Sequence, residues 1–301
     1  MLRMVPLLLR GRIVSLSLEL GSVALRSAAA GGVALAFGGA PLGVLLIARR
    51  MSLSGDALSH GILPGAAIAY LLAGPNPVAL TAGALVAALA VVSASSLLAR
   101  SRRLPEDAAF AVFYLSALAL GVLLLARTAG PEALEALLFG ATGALDRAGL
   151  LLAAGAATVT LAALALFVRG FVAESVDPGF VRMHRRGGSL LHVLLMMLVA
   201  LNLVAGFRAF GALMTVGLMM IPAAAARFWA QGFAGQAAVA VLISAAASTA
   251  GLLIAARLRL EPGAVMTLCA AALFALSGLA GPAGGALASL RRFQTAARTP
   301  K

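Results

Sequence analysis

Nine apolar runs, each close to twenty residues long and divided by short breaks that hold nearly all the charge, leave this chain one compatible solvent, the lipid bilayer. A helix needs roughly 20 apolar residues to cross the hydrocarbon core at a rise of about 1.5 Å per residue. The runs that meet this requirement are 27–48, 56–73, 78–99, 108–127, 148–168, 189–206, 209–229, 235–256 and 263–280. Pro64 and Pro222 fall inside two of them, so 56–73 and 209–229 are expected to be broken or to cross only in part. The expected fold is therefore all-α, a polytopic integral membrane protein with eight or nine transmembrane helices. Composition agrees: 62% of the residues are hydrophobic and 11% charged, with a mean hydropathy of +1.05. A soluble exterior cannot be built from that inventory.

The net charge of +13 raises nucleic acid as a partner, but the arginines sit in breaks between spans rather than along one polar face, and aromatic residues are too sparse to stack on bases. Their distribution instead sets an orientation. If the Arg49-Arg50 break is cytoplasmic, that side collects 14 basic residues and the other collects 5, namely Arg127, Arg147, Arg208, Arg257 and Arg259. Arg3, Arg10, Arg12 and Arg26 then lie on the outer side unless the N-terminus is an elbow lying in the interface. The domain reading is thus an interfacial segment over 1–26, a transmembrane domain over 27–285 and a basic cytoplasmic tail over 286–301. No cleavable signal peptide is expected, because Arg10 and Arg12 stand where small residues would be needed. The single cysteine, Cys269, excludes an internal disulfide.

Against this apolar background Asp56 and His60 stand out, four residues apart at the start of the 56–73 run. Positions i and i+4 share a helix face, and an ionisable residue held in a span is a functional-site candidate by default. A carboxylate with an imidazole suits a first-row divalent ion such as zinc, manganese or iron. Pro64 has no N–H to offer the carbonyl four residues earlier, which is that of His60, so a kink and a freed acceptor are expected beside the pair. The structural alternative is that Ser54 caps the helix, Asp56 favours its positive end, and His60 is simply packed. His184 is read as solvated in the cytoplasmic break 169–188, which also holds Glu174, and His192 as interfacial. The repeats Gly39-x-x-x-Gly43, Gly61-x-x-x-Gly65 and Gly281-x-x-x-Gly285 fit close helix packing in lipid.

Lys301 is the sole lysine, so a phosphate-binding loop ending in Gly-Lys-Ser/Thr cannot form. No zinc-protease motif, cysteine pair or nucleophile–base set is present either. The chain is therefore not expected to be an enzyme, and uphill transport would need energy from a partner. A self-sufficient secondary carrier or channel is the alternative.

The segment Pro41-Leu42-Gly43, then Arg49-Arg50-Met51-Ser52, then Gly55-Asp56-Ala57-Leu58-Ser59-His60, with Leu63-Pro64-Gly65, resembles the membrane permease of bacterial zinc/manganese/iron ABC importers. Glu106-Asp107-Ala108, Leu138-Phe139-Gly140 and the stretch from Gly211 through Pro222 to Arg227 are similar to further regions of that family. The resemblance implies an inner-membrane permease that dimerises with an identical or paralogous chain. It also implies two cytoplasmic ATPase subunits and metal delivery by an extracytoplasmic solute-binding protein. It places Asp56 and His60 on the path of a transported divalent ion, with no permanently bound cofactor, and makes Pro64 and Pro222 candidate kink or gating positions. It makes 177–188 the ATPase-coupling segment, with Asp177, Pro178, Phe180, Arg182 and His184 as candidates. This chain departs from the pattern there, with Gly179, Val181 and Arg185-Arg186 in place of the usual residues, and at the reduced turn Glu261-Pro262-Gly263.

Overall fold

The computed structural model describes residues 23–74, 76–99, 106–128, 145, 147–176 and 188–286. Ten helices account for almost all of these. They are α1 (Val23–Ala48), α2 (Ser54–Gly61), α3 (Leu63–Ala73), α4 (Pro77–Ala99), α5 (Glu106–Thr128), α6 (Arg147–Val176), α7 (Gly188–Phe210), α8 (Ala212–Ala226), α9 (Phe233–Leu258) and α10 (Pro262–Ala280). Among the described residues, seven segments are long and apolar enough to span: α1, α2 with α3, α4, α6, α7, α9 and α10. Two shorter apolar helices, Ala108–Leu124 and Met214–Ala226, match the remaining expected runs. The all-α polytopic fold stands, and the chain is a multi-pass membrane protein.

Local sequence explains where these helices begin and end. At the start of α4, Pro77 takes a position whose N–H has no intrahelical partner, while Asn76 Oδ1 accepts from the amides of Val78 and Ala79 at 3.0 and 3.4 Å. Gly211, at φ 85°, separates α7 from α8, a backbone region that favours glycine. Of the two proline-bearing runs, 56–73 is broken at Ile62, whereas 209–229 is not broken at its proline: Pro222 lies inside α8, a short helix that begins after Gly211.

Within the bundle, α1 and α7 are central: 72% of the α1 span is buried, against 22% for α10. α1 packs against α6, α8 and α9, and α7 joins this group to a second one made of α2, α3, α4 and α5. On the outer helices large apolar side chains such as Leu72, Val78 and Leu166 remain exposed, as a lipid-facing surface requires. α1 and α6 run parallel and are pinned at both ends. Ser27 Oγ donates to the Leu145 carbonyl at 3.1 Å at the start, and Arg49 meets Glu174 at 2.8 Å at the finish.

Because lipid supplies no hydrophobic drive between helices, close approach and buried hydrogen bonds must hold them. A Cβ on Gly65 would strike the Gly83 carbonyl oxygen, and one on Gly83 would strike that of Gly65, so α3 and α4 touch backbone to backbone. Gly43 likewise admits the Met219 carbonyl of α8. In the interior Asn202 Nδ2 donates to Thr160 Oγ1 at 2.7 Å, tying α7 to α6. The break 169–188 is shorter than expected, because α6 continues to Val176 and carries Glu174 and Ser175 into buried positions.

Candidate metal pathway

The approach to the candidate pair is set by the end of α1. There the Met51 N–H donates to the Leu46 carbonyl (2.9 Å) and the Arg50 N–H to that of Ile47 (3.1 Å), with Arg50 at φ 60°. This is a Schellman turn with arginine where glycine is usual. It reverses the chain and launches α2 at Ser54. Leu53, not Ser54, occupies the capping position, and no side chain caps the helix, so the serine cap of the structural alternative does not form.

α2 spans eight residues, roughly 12 Å at the helical rise. It buries Ser54, Gly55, Ala57, Leu58, Ser59 and Gly61, chiefly against α5 and α7. The remaining stripe holds Asp56 and His60. Their side chains are 61% and 31% exposed, and Asp56 Oδ1 lies 3.9 Å from His60 Nε2. That separation is too long for a hydrogen bond, and a tetrahedral ion with ligand bonds of roughly 2 Å needs the two atoms about 3.3 Å apart, so the side chains must close by about half an ångström to share one ion. No third His, Cys, Asp or Glu joins them among the described residues. A carboxylate and an imidazole alone hold an ion loosely, which suits passage rather than storage. Ser59 is not a third ligand in this arrangement, because its hydroxyl donates to the Asp56 carbonyl at 2.5 Å.

Pro64 behaves differently from the expectation. It is buried in the first turn of α3, where its missing N–H costs little. The His60 carbonyl is not left free, since it accepts the Ile62 N–H. A Cβ on Gly121 would crowd Leu63 and Pro64, so α5 presses directly on the break. Pro222 does free a carbonyl. Lying inside α8, it cannot donate to Leu218, and the Leu218 oxygen instead accepts from Ser244 Oγ of α9 at 3.0 Å. Sequence alone gave no signal for Ser244, because a serine in an apolar helix does not announce its acceptor.

Asp177, Pro178, Phe180, Arg182 and His184 lie outside the described residues. Glu174 and His192, which flank them, are described. Neither sits in a solvated loop or at a bare interface, for both contact Arg49.

The described helices make a multi-pass membrane protein, with Asp56 and His60 on one face of a broken helix. The comparisons with known proteins narrow this class. The manganese transport system membrane protein MntC of Listeria monocytogenes is 29% identical over 251 residues, covering 83% of this chain and 88% of that protein. The zinc transport system membrane protein TroC of Treponema pallidum is 29% identical over 276 residues, covering 89% and 92%. The solved structure of PsaBC from Streptococcus pneumoniae in complex with Fab matches with a TM-score of 0.80 at 25% identity, over 94% of this chain and 99% of that one. The model of the ABC 3 transport family matches residues 22–280, and the chain belongs to that family as a permease subunit of its metal transporters.

Proposed function

We propose that this chain, paired with a second permease subunit, forms the ion pathway of an ATP-driven divalent-metal importer. The observation that carries the reading is the Asp56–His60 pair, two ligand atoms 3.9 Å apart on the unburied stripe of an otherwise buried helix. A carboxylate in a span is too costly to face lipid, so this stripe faces water or another subunit. With two protein ligands per chain, a second copy facing the first supplies four, a number that suits a first-row ion. Cytoplasmic ATPases docked on residues 177–188 provide the energy, and an extracytoplasmic binding protein delivers the ion. Ion desolvation is offset by the ligands. The similar proteins carry names with manganese and with zinc, and the Asp/His chemistry serves either.

Reconstitution of the chain with its ATPase and binding protein in proteoliposomes tests the energy source. Uptake of manganese or zinc should require ATP inside the assay and persist when ion gradients are collapsed. Uptake that follows the gradient and ignores ATP would make the chain a secondary carrier instead.

A further inference from the structure

Four side chains, Arg49 just past the end of α1 and three from α6 and α7, converge where α1 stops. Arg49 Nη2 donates to Glu174 Oε2 at 2.8 Å, and the two side chains are only 4% and 7% exposed. Arg49 Nε donates to Ser175 Oγ at 3.2 Å, and the Ser175 hydroxyl in turn donates to the Phe171 carbonyl at 2.6 Å. Arg49 Nη1 lies 3.2 Å from His192 Nδ1. A guanidinium has donors only, so this contact requires His192 to accept through Nδ1 and keep its proton on Nε2. All three corners of the fork are engaged, an arrangement that lysine, a point charge on a flexible stem, cannot copy.

Burying an ion pair is seldom the most stable way to join helix ends, since apolar side chains of similar volume do as well or better. What the pair adds is a fixed register between its elements, and the elements joined here are informative. Glu174 and Ser175 stand in the last turn of α6, His192 in the second turn of α7, and residues 177–187 connect those two helices in the chain. Arg49 directly follows α1, and its backbone N–H donates to Leu45 at 3.0 Å, which fastens it to that helix. Only Arg50 to Leu53 separate it from α2, whose first turn holds Asp56. Arg49 is therefore tied on one side to the ends that flank the proposed docking segment and on the other to the helix bearing the ion pair.

We propose that Arg49 is a positioning residue for transport, a tether that carries displacement of the α6 and α7 ends to the Asp56–His60 helix. This rests on the reading of the chain as an ATPase-driven metal permease. Arg50 provides a matched control. It is exposed, and its side chain makes none of these contacts among the described residues.

The test uses the complete complex, permease with ATPase and binding protein, in proteoliposomes supplied with manganese or zinc. The quantity read is metal ions imported per ATP hydrolysed. Arg49→Lys should assemble, hydrolyse ATP, and lower that ratio by about fivefold or more, because the fork is lost while the charge stays. The doubly neutral variant Arg49→Met with Glu174→Gln should behave the same way, and if it does not assemble, Arg49→Lys alone decides. Arg50→Gly should leave the ratio at the wild-type value. An unchanged ratio in Arg49→Lys, including the case where uptake and hydrolysis fall together, would overturn the tether and leave the cluster a structural brace. Wild-type uptake indifferent to ATP would instead overturn the permease reading itself.

Discussion

At the scale of single residues, polar groups in this bundle are assigned by what their neighbours lack. Pro222 removes a donor from the Leu218 carbonyl, and Ser244 Oγ replaces it from the adjacent helix at 3.0 Å. Ser244 is fully buried, so Ser244→Ala leaves that carbonyl without a partner in an apolar interior. The expected cost is about 1–3 kcal/mol, read as a lowered thermal midpoint of the purified protein in detergent. A midpoint equal to wild type would mean that the Leu218 oxygen does not depend on Ser244. Asp56 and His60 were legible as a pair because i,i+4 spacing is a local rule. The Arg49 cluster was not, because its partners lie 125 and 143 residues away and no local pattern links them. Arg49 reads in sequence as one more positive-inside charge, and Glu174 as part of a loop.

At the scale of elements, the break between α2 and α3 decides how the pair is presented. It comes from the turn at Ile62, with Pro64 held against α5 by Leu63 and Gly121. Pro64→Ala restores an N–H that can reach the His60 carbonyl and favours one continuous helix through Ile62. Uptake should then fall several-fold while the complex still assembles, as measured by transport at matched membrane levels. Unaltered uptake would show that the break needs no proline. The break in the 56–73 run was legible from Pro64 but falls two residues before it, at Ile62, whereas Pro222 breaks nothing and lies inside α8. Glycine contacts such as Gly65 with Gly83 were half legible. The spacing of Gly61 and Gly65 marked a packing face, whereas its partner Gly83 belongs to no such repeat.

At the scale of the whole molecule, hydropathy and arginine placement were enough for the all-α multi-pass architecture, because a bilayer admits few alternatives to helices of fixed length. The division into a group around α1 and a group around α2 to α5, bridged by α7, was not readable, since the long helices are apolar nearly all round and periodicity marks no preferred face on them. At this scale the central claim is that one carboxylate and one imidazole carry a divalent ion through the membrane. It is tested most directly by radiometal uptake, zinc beside manganese, in cells that express the chain with its ATPase and binding protein. Wild type is compared with Asp56→Ala and His60→Ala at matched membrane levels. Both substitutions should abolish uptake of the preferred ion while the assembled complex persists; undiminished uptake in both variants would place the ion path elsewhere among the helices.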